Sequence, residues 1–171
     1  IFLLKLWLIP LWIVLLIAAG YILGVMAKKE PMIGGSGIPQ VEGVISKKLE
    51  MKWYRIILGK LIGGITAIGL GLSLGREGPS VQLGAAVGQG VSRILKRVKI
   101  EEKYLITGGA SAGLAAAFNA PLAGTMFSLE EVHKNFSPMV LVVSLSSALS
   151  ADFITSEFLG LKPVFNFNYV Y

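Results

Sequence analysis

Uncharged apolar runs alternate with short charged gaps along this chain, and the run lengths predict its elements. Leu6 to Ala27 gives 22 residues without a charge and Tyr104 to Leu129 gives 26, each enough for the roughly 20 residues a membrane-spanning helix needs. Leu61 to Gly75 and Gly78 to Ser92 hold only 15 each, about 22 Å of helix against a hydrocarbon core of about 30 Å. At least one of that pair must stop partway. No stretch alternates with a period of two, so no strand is predicted.

The gaps are basic. Lys28, Lys29, Lys47, Lys48, Lys52, Arg55 and Lys60 form one group; Arg93, Lys96, Arg97, Lys99 and Lys103 form another. By the positive-inside rule both face the cytoplasm. The chain between neighbouring groups then has to leave the cytoplasmic side and return. That places three breaks: the segment GGSGIP (Gly34 to Pro39), the segment GREGP (Gly75 to Pro79) and the segment FNAP (Phe118 to Pro121). The last run, Asn135 to Ala151, crosses outward toward Asp152 and Glu157.

The breaks share one chemistry. Ser36 precedes Pro39, Glu77 precedes Pro79 and Asn119 precedes Pro121, each a residue able to cap a helix followed by a proline that the first turn tolerates. Three helices are therefore expected to start inside the membrane. A helix start presents unpaired N–H groups and roughly half a positive charge. Three starts converging in a low-dielectric setting make an anion site without a buried lysine or arginine. Gly59/Gly63, Gly71/Gly75, Gly84/Gly88 and Gly109/Gly113 are small-xxx-small pairs that allow the close helix packing such convergence needs.

Composition agrees with a membrane reading. At 54% hydrophobic and 15% charged over 171 residues, with a mean hydropathy of +0.70, the apolar surface exceeds what a soluble domain of this size can bury. The net charge of +6 sits in the gaps and forms no face with interleaved aromatics, so nucleic acid is not an expected partner. The absence of cysteine excludes disulfides and thiolate metal sites. Ile1 stands where an initiator methionine is expected, and the chain reads as one membrane unit over residues 1–171 whose true N-terminus lies upstream. Enzyme chemistry finds little support. Glu130 and His133 have the i, i+3 spacing of di-iron bundles, but His133 is the sole histidine, and no GxxxxGK[ST] follows a strand. A structural subunit packed by glycines is a further alternative; it does not account for Ser36, Glu77 and Asn119 at three intramembrane helix starts.

GSGIPQVEG (Gly35 to Gly43), GREGPSVQLGAAVG (Gly75 to Gly88) and GGASAGLAAAFNAPLAGTMFSLEE (Gly108 to Glu131) together resemble, in order and spacing, the N-terminal half of a CLC chloride channel or chloride/proton antiporter. The resemblance covers about Leu6 to Glu157. It implies an all-α integral membrane fold of tilted and re-entrant helices, the first of two inverted halves, in a homodimer with one pore per subunit. The implied substrates are chloride and protons, with no cofactor and no metal. The implied localisation is the plasma membrane, with basic loops cytoplasmic and lipid around the subunit. The second half of the same subunit normally supplies another helix start and a tyrosine at the anion; Tyr169 and Tyr171 are not assigned that role.

The resemblance also implies residue roles. Ser36, Gly37, Ile38 and Gly78 belong to the anion site, and Ser36 goes with chloride preference. Glu77 falls on the gating glutamate, which as an anion occupies the chloride position and when protonated swings away. From its surroundings alone, Glu77 is equally an ordinary first-turn acid at the membrane interface. Glu131 falls on the internal proton glutamate, a feature of antiporters more than of channels; without the resemblance it reads as a solvated helix end. Successive helix positions point about 100° apart, so at most one of Glu130 and Glu131 faces the interior. Pro39, Pro79, Pro121 and Asn119 support the helix starts. Arg76 is expected to position its turn or face the outer vestibule.

Overall fold

The structure, a computed structural model, describes residues 8–72 and 75–160. Leu6 and Trp7, Tyr169 and Tyr171 lie outside the described residues. Seven α-helices follow one another, and no strand occurs among the described residues: α1 (Leu8–Lys29), α2 (Ile38–Ile45), α3 (Trp53–Gly69), α4 (Glu77–Ile94), α5 (Lys99–Phe118), α6 (Pro121–Phe127) and α7 (Pro138–Leu159). A 3₁₀ turn, Pro31–Ile33, sits between α1 and α2, and α6 runs without a break into a π-helical turn, Ser128–His133. The fold is all-helical, as its uncharged runs predict.

Helix α5 is central, packed against α4, α6 and α7. Its crossing with α4 is the tightest among the described residues. A β-carbon on Gly84 would meet the Gly109 carbonyl, one on Gly88 the Leu105 carbonyl, and one on Gly113 the Ser80 carbonyl. Backbone therefore lies on backbone at two of the predicted small-xxx-small pairs, which is how helices associate where lipid supplies no hydrophobic drive. Val41, Ile45, Val81, Ala85, Ile106, Ala110 and Val132 form the apolar cluster beside this crossing and bring α2, α4, α5 and the π turn together. Helices α1 and α7 are the two long and apolar enough to cross a bilayer among the described residues.

The three breaks fall where the sequence places them, but their chemistry differs. None of the helices that follow them has a side-chain cap hydrogen bond. Gly37, at φ 103°, takes the position before α2 in place of Ser36. Glu77 is the first helical residue of α4, with Arg76 before it. Asn119 closes α5 in a left-handed conformation, φ 52° and ψ 45°, and Ala120 precedes α6. Asparagine is among the few residues that adopt this conformation routinely, so Asn119 ends one helix and does not cap the next. The prolines are where the first turn allows them, Pro39 and Pro121 at the first or second position and Pro79 just behind.

Three expectations about helix bounds are also corrected. Lys60 and Arg93 lie within α3 and α4, giving 17 and 18 residues, about 26 Å each and still short of a full bilayer core. Gly71 and Gly75 lie outside any helix, with nothing within 4 Å of an added β-carbon, so that pair packs against nothing among the described residues. Helix α7 continues through Asp152 and Glu157 to Leu159.

Candidate anion site

The GSGIP and GREGP segments meet. A β-carbon on Gly78 would run into the backbone carbonyl and the hydroxyl of Ser36, and one on Gly37 would lie 2.7 Å from Gln82 Oε1 and 3.0 Å from the Gly78 carbonyl. Only glycines at both places let the turn before α2 sit on the first turn of α4. Gly37 and Gly78 are buried by this contact.

Beside it lies a cavity of about 620 Å³ whose lining includes Ser36, Ile38, Lys60, Glu77, Gly78 and Pro79. Five of the predicted site residues, Ser36, Ile38, Glu77, Gly78 and Pro79, thus share one space, and Gly37 lies buried between Ser36 and Ile38 in the chain. Ser36 and Glu77 are exposed to this space in the chain as described. Asn119 and Pro121 do not line it. Their segment is tied in from one side: the Arg76 guanidinium lies 5.2 Å from the centre of the Phe118 ring, a cation–π contact joining the start of α4 to the end of α5. Arg76 thus contacts the end of α5 from its place just before α4.

Lys60 is the residue that hydropathy and charge misplace. It is 8% exposed, its ammonium donates to the Gly35 carbonyl at 2.9 Å, and it lines the same cavity as Ser36 and Glu77. The positive-inside rule counts it with the cytoplasmic loops, and the anion-site argument assumes no buried cation. The flanking residues, Ile56-Ile57-Leu58-Gly59 and Leu61-Ile62-Gly63-Gly64, are apolar and are consistent with Lys60 lying inside a helix, but they do not say which other elements cover it.

The acidic pair is elsewhere. Glu130 and Glu131 lie on the π turn, about 15 Å along the helix from Pro121 at 1.5 Å per residue, and both are exposed. Neither faces the interior of the described chain; the wider π turn buries Ser128, Leu129 and Val132 instead. His133 Nδ1 is 3.0 Å from the Thr107 hydroxyl, which holds the end of the π turn to α5. Just beyond, Lys134 donates to Glu42 of α2 at 2.6 Å, and this bond, with the charges of Glu42 and Glu131, raises the Lys134 pKa.

Chemically, the cavity offers a hydroxyl, a buried ammonium and the open N–H groups ahead of α2, with a carboxylate at its edge. This is a set able to hold a small anion against a competing carboxylate. Residues 15–171 match the voltage gated chloride channel family. The chain is 43% identical over 156 residues to the H(+)/Cl(-) exchange transporter ClcA of Vibrio cholerae, covering 85% of this chain and 33% of that protein. It is 39% identical over 153 residues to the ClcA of Citrobacter koseri, covering 88% and 32%. The crystal structure of a slow cyanobacterial Cl-/H+ antiporter superposes with a TM-score of 0.79 at 35% identity, covering 89% of this chain and 37% of that one. The chain thus spans about a third of the length of the curated relatives it matches. With the breaks, the glycine contacts and the cavity all falling on matched residues, the chain belongs to the voltage-gated chloride channel family of membrane proteins.

Proposed function

We propose that this chain is the first half of a subunit that exchanges chloride for protons across a membrane. The observation that carries the reading is that Ser36 and Glu77, distant in sequence, line one cavity with the buried Lys60. In this reading Ser36, Gly37, Ile38 and Gly78 form the near wall of the anion site, and Glu77 is both gate and proton carrier. The reasoning is electrostatic. The helix starts and the ammonium lining the same cavity attract an anion, whether chloride or the Glu77 carboxylate. In this proposal the carboxylate competes with chloride when charged and yields the place when protonated. Flux through such a gate is voltage-influenced, since chloride and the gate charge both move within the membrane field.

Glu131 is the inner proton site in this proposal, reached from the cytoplasm beside Lys134 and Glu42. The remaining partners follow from the same reading: a second half completing the site, a second subunit forming a homodimer, and surrounding lipid, in the plasma membrane with the basic loops inside. Asn119, Pro39, Pro79 and Pro121 set where the helices begin and end.

The test is the reversal potential of the reconstituted full-length protein at a fixed chloride gradient, with pH varied on one side. Exchange predicts a potential that moves with the pH gradient, and that stops moving after Glu131→Gln or Glu77→Gln. A potential that stays at the chloride equilibrium value at every pH makes the protein a passive channel and returns Glu131 to a solvated helix end.

A further inference from the structure

Three side chains from three different helices donate to the backbone carbonyls of a single short turn. Gln82 Nε2 of α4 donates to the Met32 carbonyl at 2.7 Å, Gln40 Nε2 of α2 to the Gly34 carbonyl at 2.9 Å, and Lys60 Nζ of α3 to the Gly35 carbonyl at 2.9 Å. Gln82 is fully buried and Gln40 is half-buried. Between them these donors take up most of the acceptors that lead into Ser36.

The planar trans peptide gives this a consequence for the opposite edge of the turn. Within one peptide unit the C=O and the following N–H point in opposite directions. Holding the Gly34 and Gly35 carbonyls toward Gln40 and Lys60 therefore turns the Gly35 and Ser36 N–H groups the other way. Among the described residues, no backbone carbonyl accepts from the N–H groups of Gly35, Ser36, Gly37 or Ile38. A run of free donors with its neighbouring acceptors tied back suits a small anion, because a loose carbonyl swinging in would repel it.

We propose that Gln82 and Gln40 are positioning residues for the anion turn, holding its carbonyls to protein donors so that the Gly35 and Ser36 amides stay free for a monovalent anion. Neither glutamine touches the anion. Gln40 orients the Gly35 amide directly, while Gln82 acts one step back, tying the chain ahead of GSGIP to the GREGP helix with its Oε1 against Gly37. The inference rests on the antiporter reading for its ligand but not for its geometry.

The experiment uses the full-length protein in detergent, with chloride and nitrate titrated by calorimetry. Gln82→Met keeps the length and removes the donor. It is expected to weaken chloride binding about tenfold, the scale of a buried carbonyl left without its partner, and to narrow the ratio of chloride to nitrate affinity. Gln40→Met is expected to do the same more weakly. The double variant should fall short of the product of the two, because both hold one turn. A folded Gln82→Met protein whose chloride affinity and chloride-to-nitrate ratio stay within about twofold of the parent overturns the proposal, as does a fully multiplicative double variant. If Gln82→Met does not fold, Gln40→Met decides the matter: weaker chloride binding with a narrowed chloride-to-nitrate ratio supports the clamp, and values within about twofold of the parent refute it. Failure of the unmodified protein to bind chloride sinks the antiporter reading instead, and the thermal midpoint of Gln40→Met then judges the clamp, an unchanged midpoint refuting it.

Discussion

Gly37 shows how much one residue can fix. Its φ of 103° is a conformation that side chains disfavour, and a β-carbon there would stand 2.7 Å from Gln82 Oε1 and 2.8 Å from Gln82 Cβ. Gly37→Ala is therefore expected to cost about 1–3 kcal/mol through strain alone, with displacement of Gln82 adding to it. Thermal unfolding followed by fluorescence-detected size exclusion measures this; an unchanged midpoint means the turn relaxes without loss. The GSGIP glycines were legible in the sequence as turn residues, but the partner that makes Gly37 obligatory was not, since Gln82 lies 45 positions further along. Lys60 failed for the opposite reason. Its charge was legible and its burial was not, because a lysine at the mouth of a helix and one inside it differ only in what the other helices cover.

Among the elements, the α4–α5 crossing is the most constrained, since Gly84, Gly88, Gly109 and Gly113 all bring backbone against backbone. Gly109→Val has no free volume to enter and is expected to separate the helices, at a cost of about 3 kcal/mol or more. The measure is loss of the monodisperse peak in detergent, and retention of that peak would mean the helices can slide apart cheaply. The α2 end is joined to the π turn differently, by the exposed Lys134–Glu42 pair. Because Lys134 has its pKa raised in the folded chain, its contribution to stability is present below the ordinary lysine value of 10.5 and is lost as pH rises through the raised value. Lys134→Met should thus lower stability slightly in neutral buffer and leave it indistinguishable from the parent in strong alkali. A difference that persists in strong alkali would show that the side chain acts by packing, not charge. Small-xxx-small spacing in the sequence marked the glycine crossing correctly at Gly84/Gly88 and Gly109/Gly113 and incorrectly at Gly71/Gly75, which sit outside any helix. Spacing reports a shared face only if the segment is helical.

The whole molecule carries large apolar residues on its outside, among them Ile65, Leu122, Phe153 and Phe158, each more than two-thirds exposed. Such surface needs lipid or further protein to cover it. Together with a match to about a third of each relative's length, this predicts that the 171-residue chain reconstituted alone carries no chloride flux, and that co-expression with the rest of the subunit restores it. Chloride flux from the isolated chain at the rate of the full-length protein would refute the idea that a second half completes the site. The large number of apolar residues and the basic gaps made the membrane class readable at this scale, as they depend on composition and order alone.

Hydropathy, proline and glycine placement were enough to specify a helical, membrane-embedded chain, the points where its helices break, and the glycines able to touch. Each of those signals is local to a few residues. Packing in three dimensions was needed to put Gly37 rather than Ser36 before α2, and to make Asn119 close a helix instead of opening one. It was needed again to bring Lys60 and Gln82 against the GSGIP turn. The Lys60 and Gln82 contacts join donors and acceptors 25 and 50 positions apart, and no local pattern records which carbonyl a distant side chain will reach.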